Sequence, residues 1–290
     1  MPKDSKRKAH YRHYSRSKLG NITAYTLLLI AGLFTILPLI YSVCTSFKPL
    51  EELLVFPPKF FVYRPTLQNY LELPSIISNL SVPLSRYVFN SVFVSGLTTF
   101  LHIIVACMAA FVLSKGRFRG LAIIFIMVQF ALLYNSYTLA IPQYIIFSKL
   151  RLVDTYFVYI LPYLPSTLGV FLVKQYMDGS IPDPLIEAAY IDGAGSLKIF
   201  WKIVMPISKP AWMTLTLFAF RDLWSMQPQG TIFSEELKML PNVMSTINAG
   251  GIARSGSAMA ASVILMVPPI IIYLVSQSNV METMSTSGIK

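Results

Sequence analysis

Four stretches of this chain contain no Asp, Glu, Lys or Arg, and no water-soluble domain of ordinary size buries four helices of such length. They are residues 19–47, 87–114, 121–148 and 255–281, of 29, 28, 28 and 27 residues. At 1.5 Å of rise per residue, about 20 apolar residues cross the roughly 30 Å of a bilayer's hydrocarbon core. A fifth stretch, 155–173, has 19 residues and just suffices. A sixth, 210–233, is apolar except for Arg221 and Asp222 near its middle. Without it the chain crosses five times and its ends fall on opposite sides. The pattern therefore predicts an all-α, polytopic integral membrane protein with six transmembrane helices. Charged residues make up only 13% of the 290, about half the usual globular share, too few to cover a soluble domain. Fourteen glycines without a period and two cysteines exclude a collagen or a disulfide scaffold.

The 24 Lys and Arg against 13 Asp and Glu invite a nucleic-acid reading, but seven of the basic residues lie within the first 18. A basic tail before a long apolar run is a topology determinant, so no nucleic-acid partner is expected. With the N-terminus in the cytoplasm, segments 1–18, 115–120, 174–209 and 277–290 face inside and hold fifteen basic residues. Segments 48–86, 149–154 and 234–254 face outside and hold eight. Both termini are then cytoplasmic. The chain divides into a basic tail (1–18), a first helix with its external loop (19–85), a membrane core (86–277) containing the loop 174–209, and a short tail (278–290). The first apolar run is about twice as long as a signal-peptide core, and no A-x-A site follows it, so it reads as an uncleaved anchor. Cys44 and Cys107 read as packing residues. His10, His13 and His102 form no spacing that holds a metal, and none is expected.

Polar residues within the apolar runs are expensive in lipid and must face protein or water. Ser91, Ser95, Thr98 and His102 fall on one helical face, extended by Ala106 and Ala110, and this stripe reads first as a packing face. In the third run Gln129, Ser136 and Gln143 recur every seven residues beside Tyr134, Asn135 and Tyr137, and Pro142 is expected to kink the helix. A translocation path and structural hydrogen bonding both satisfy these side chains. Arg221 and Asp222 point about 100° apart on a helix and cannot simply pair with each other. With Trp224 and Ser225 beside them they suit a hydroxylated, acidic ligand. The alternative is an ion pair with another helix or subunit.

Loop 174–209 differs from every other. Its four acids and four bases alternate with apolar residues. Asp183 is placed to cap a short helix with Pro184 at its first position, and Gly193 fits its C-terminal stop. Ser196 is placed to cap a second helix reaching Val204, before Pro206. A helical hairpin at the membrane surface suits docking into another protein's groove.

Glu187, Ala188 and Ala189, then Gly193 after three residues, then Ile203, Val204, Met205 and Pro206 after nine more, resemble the EAA–G–I-x-L-P loop of binding-protein-dependent ABC importer permeases. Met205 stands where leucine is usual. Residues 191–195 and 200–203, with the closing stretch 281–290, are similar to the oligosaccharide branch, in particular the maltose-type second permease subunit. The resemblance implies a type I importer transmembrane fold in a bacterial or archaeal plasma membrane. It implies coupling to ATPase subunits through Glu187, Ala188, Ala189, Tyr190, Asp192, Gly193 and Pro206. It also implies a contact with an extracytoplasmic solute-binding protein through Asn248, Gly250, Gly251 and Arg254. The other implied partners are a second permease subunit, two cytoplasmic ATPase subunits, an oligosaccharide, for which a uronate fits Arg221, and membrane lipid. ATP and magnesium would sit on the ATPases, and this chain agrees in lacking a G-x-x-x-x-G-K-[ST] phosphate loop. A secondary transporter or channel fits the helices but leaves 174–209 unexplained. A membrane-embedded enzyme lacks any Ser/His/Asp, H-E-x-x-H or paired-carboxylate arrangement.

Overall fold

The structure, a computed structural model, describes residues 18–78, 82–134, 136–227, 230–248, 251 and 254–287. These residues form helices and connecting turns, with no strand among them. The helices are α1 (Lys18–Ser46), α2 (Leu50–Leu53), α3 (Gln68–Ser78), α4 (Leu84–Lys115), α5 (Leu121–Ala131), α6 (Ser136–Lys149), α7 (Phe157–Tyr163), α8 (Thr167–Ser180), α9 (Asp183–Ile191), α10 (Ser196–Ile199), α11 (Met205–Ile207), α12 (Lys209–Trp224), α13 (Leu240–Asn248) and α14 (Ser255–Ser287). A π-helical turn, Phe200–Val204, joins α10 to α11.

α4 is the central post. It packs on α8 and α12, and α12 packs in turn on α14, with α1 outermost against α14. Ser91, Ser95, Thr98, His102, Ala106 and Ala110 are all fully buried, so the stripe seen in the sequence is a packing face. Small and hydroxylated side chains let backbones approach closely where lipid offers no hydrophobic drive. Cys107 joins the same core and Cys44 is half-buried; both are free thiols. α1 is apolar all round and exposed along nearly its whole length, as a helix bathed in lipid must be.

Among the described residues the helices do not make six uninterrupted crossings. Among the described residues four helices are long and apolar enough to span a membrane: Gly20–Ser46, Leu84–Lys115, Phe157–Ser180 and Ser255–Val280. The third apolar run is split. α5 has 11 residues and α6 has 14, about 17 and 21 Å of helix, and neither alone crosses. The break is not at Pro142, which sits inside α6. It comes at Leu132–Tyr134, where Leu133 N–H bonds Phe130 O and Tyr134 N–H bonds Ala131 O, a tightened final turn. α12 has 16 residues and meets the segment Ser196–Ile207 at a bend of 79°. It stops at Trp224, well short of Phe233.

The two ends of α4 are held by different devices. At its start, Asn90 donates to the carbonyls of Glu236 and Lys238 at 2.7 and 2.9 Å. Ser91 Oγ accepts the Leu240 N–H at 2.8 Å, and Tyr87 donates to Glu235. These bonds fasten residues 235–240 as a strap across the top of the bundle. Asp154 accepts the N–H groups of Phe233 and Ser234 and the Ser234 hydroxyl, which holds its carboxyl below the usual carboxylate range. At the other end of α4, Lys115 meets the start of α9.

Candidate functional site

The loop 174–209 folds as two short helices, and local chemistry sets their bounds. Pro182 precedes α9 and Pro184 lies in its first turn, where a missing N–H is harmless. Asp183 does not cap the helix, contrary to expectation. Its carboxylate turns instead to Lys115 Nζ, 2.7 Å away, and this bond holds the Asp183 carboxyl below its ordinary range. Gly193 ends the helix at φ +76°, a left-handed conformation that side chains with a Cβ rarely take, and Ala194 N–H closes back on Ala189 O at 3.0 Å. Ser196 likewise does not cap; its hydroxyl pairs with the Tyr190 hydroxyl at 3.0 Å and ties the hairpin's arms together.

The hairpin has one face in the core and one in the open. Ile186 and Ala189 pack with Ile199, Phe200 and Val204 against α4 and α8. Glu187, Ala188, Tyr190, Asp192, Gly193 and Pro206 are exposed. Ile191 is 86% exposed and Leu197 66%, so bare aliphatic surface lies among the charges of the outer face. Beside it lies a cleft of about 620 Å³ lined by Lys115, Arg117, Asp183, Glu187, Tyr190 and Ile191. Glu187 forms an ion pair with Arg117. The sequence had marked Lys115 and Arg117 only as topology charges.

The second cluster lies toward the strap end of the bundle. α12 rises about 18 Å between Lys209 and Arg221, which places Arg221 and Asp222 in its last turn rather than mid-helix. Both are exposed. Tyr163 donates to Asp222 at 3.3 Å, and Arg221 has no side-chain partner among the described residues. Ser225, also exposed, donates to the Arg221 carbonyl and so caps the helix. Trp224 does not join them. It is 5% exposed, stacks on Phe220, and donates its indole N–H to Leu265 O of α14 at 2.9 Å. Tyr163 was missed in the sequence because it lies 59 residues from its partner. It is positioned from the core. His102 donates from Nδ1 to Leu164 O at 3.0 Å, its ring meets the Tyr163 ring edge-on, and Gly169 leaves it room.

The other expected path residues flank the α5–α6 break. Gln129 is exposed in α5, and Tyr134 is 67% exposed at the break. Asn135 and the Tyr137 side chain lie outside the described residues. Of the expected binding-protein contacts, Gly251 turns at φ +67°, Arg254 donates its N–H to that turn, and Asn248 ends α13. Gly250 and the Asn248 side chain lie outside the described residues.

Comparison with known proteins decides the family. No family model matches the sequence. The sulfoquinovosyl glycerol transport system permease protein SmoH of Agrobacterium fabrum is 30% identical over 272 residues, 92% of each chain. The chain belongs to the carbohydrate ABC transporter permeases. The inner membrane ABC transporter permease protein YcjP of Escherichia coli is 27% identical over 94% of this chain and 97% of its own. In fold, this permease matches a chain of a bacterial ABC transporter involved in the import of the acidic polysaccharide alginate, with a TM-score of 0.75. That match covers 91% of this chain and 98% of the other at 22% identity. The protein is therefore a multi-pass transport subunit and not an enzyme.

Proposed function

We propose that this permease is the membrane-spanning subunit of an ATP-driven, binding-protein-dependent oligosaccharide importer, and that α9 receives the ATPase. The observation that carries this reading is the hairpin 183–207: an outer face where Tyr190, Ile191 and Leu197 stand among Glu187, Asp192 and Lys198, closed by a left-handed Gly193 and seated on the end of the central helix. Bare Ile191 and Leu197 in water are costly unless a partner covers them, and a cleft beside a short helix suits a rigid docking element. The hairpin faces the cytoplasm with both termini, following the basic tail. The polypeptide passes the membrane six times, one of the passages discontinuous, α5 with α6, and one short, α12. Non-helical backbone at membrane depth is tolerated where it borders protein or a water-filled cavity, so the Leu132–Tyr134 break supports a path along Gln129 and Tyr134.

The cargo is an oligosaccharide carrying acid groups. Arg221 is exposed and unpaired among the described residues, and a guanidinium fork matches a carboxylate. The structural neighbour's alginate is a cargo of that chemistry. The partners are a second permease subunit, two ATPase subunits that carry ATP and magnesium, and a binding protein that meets 248–254, all in a bacterial or archaeal plasma membrane. Purification from native membranes with a cysteine at Ala188 tests the docking. A cross-link from that position to a co-purifying ATPase supports it; an active permease isolated without any ATPase contradicts it.

A further inference from the structure

The end of α4 and the start of α9 are joined by a bond pattern that packing alone does not require. Lys115, the last residue of α4, is buried to 8% of its side chain. Its ammonium donates at once to Ile181 O, 2.6 Å away in the link before α9, and to Asp183 Oδ1 at 2.7 Å in the first turn of α9. One residue earlier, Ser114 donates to Asp178 at 2.6 Å, and Lys174 pairs with the other oxygen of the same carboxylate. Two residues later, Arg117 pairs with Glu187, one turn along α9 from Asp183. The last turn of α4 is thus tied to α8, to the 181–182 link and to the first turn of α9, and the link after α4 is tied to the next turn of α9. A lysine satisfies two acceptors in different segments only by holding both at fixed distance, and burial of Lys115 leaves its ammonium few other partners.

We infer that Lys115 is a positioning residue for transport: it locks α9 to α4 as one rigid body, so that ATPase movement enters the central helix directly. The inference rests on the docking proposed above. A helix of nine residues held only by Ile186 and Ala189 would pivot on its apolar face. Lys115, holding the 181–182 link and the first turn of α9 together, ties that pivot to the end of α4. The α4 face that would move bears Asn90 and Ser91, which hold the strap at the far end of the bundle. Motion applied at Asp183 therefore has a continuous helical route to residues 235–240.

Spin labels on Leu185→Cys of α9 and Val105→Cys of α4, both at exposed positions, read the lock in the assembled importer once Cys44→Ser and Cys107→Ala remove the native thiols. The probe is ATP with vanadate. The expected result is a narrow distance distribution that stays unchanged on trapping. Lys115→Met and Asp183→Asn should each broaden it and shift it on trapping, while ATP hydrolysis continues. Lys115→Arg, which keeps a cation able to donate to both acceptors, should keep it narrow. Lys115→Met or Asp183→Asn with an unchanged narrow distribution in both states would overturn the inference. Asp183 is largely exposed, so Asp183→Asn keeps the test open should Lys115→Met fail to assemble. A missing cross-link from Ala188 to the ATPase defeats the docking proposal itself, whatever the labels report.

Discussion

At the scale of single residues, the last turn of α12 holds an exposed charge and a packed ring within four positions. Arg221 is exposed and has no side-chain partner among the described residues, whereas Trp224 is sealed against α14. Arg221→Gln should weaken handling of uronate-containing oligosaccharides by roughly ten-fold or more, the size of a lost charged hydrogen bond of ~1.5–3 kcal/mol, and spare neutral ones. Paired uptake assays on acidic and neutral sugars check this; equal losses would leave Arg221 a structural residue. Trp224→Ala should act oppositely, lowering stability by about 3–5 kcal/mol without changing the preference between sugars. Gly169 is a second case where one atom decides. A Cβ there would stand 2.5 Å from His102 Nε2 and 3.0 Å from Leu215 Cδ1. Gly169→Ala should cost about 1–3 kcal/mol in thermal unfolding, and His102→Ala in the same chain should recover part of it.

At the scale of elements, the devices at the two ends of α4 respond to different perturbations. Glu187 pairs with Arg117 within the chain, so Glu187→Arg would repel Arg117 as well as any ATPase group. Glu187→Gln is the cleaner variant. An exposed pair is worth about 0–1 kcal/mol, so stability should barely change while ATPase co-purification falls. The strap titrates with acid. The Asp154 carboxyl is depressed by the Ser234 hydroxyl and by the Phe233 and Ser234 amides, so its contribution is full at neutral pH. It fades as pH falls below about 4, toward the depressed value. Hydrogen exchange at Phe233 and Ser234 should quicken in that window, and Asp154→Asn should exchange fast at every pH. Asp154→Asn with native protection at neutral pH would contradict this role.

Much of this element-level detail was legible in the sequence where it repeats locally. The Ser91–Ala110 stripe and the Gly193 stop follow from helical period and backbone strain. The Asp183–Lys115 and Glu187–Arg117 pairs did not, because partners 68 and 70 residues apart leave no period to read. Asp183 was free to cap α9 on local grounds, and a charge from another helix outbid the cap. The α5–α6 break was hidden for a different reason. Pro142 looks like the breaker, but a proline removes a single backbone bond and α6 continues through it, while the break falls at Leu132 and Leu133, which are ordinary helix formers. The early stop of α12 was equally obscure, since apolar residues continue past Trp224 in the sequence.

At the scale of the whole molecule, the bundle carries the exposed hairpin at one end of α4 and a hydrogen-bonded strap at the other, and the proposed function has displacement pass between them. The most direct measurement is sugar accumulation in sealed vesicles, with this permease present either alone or with its second permease, ATPase and binding-protein partners. ATP-dependent accumulation only with the full set, lost in a Gly193→Val chain whose left-handed turn costs ~1–2 kcal/mol of strain, is the predicted result. Accumulation by this polypeptide alone, with no ATPase present, would contradict it.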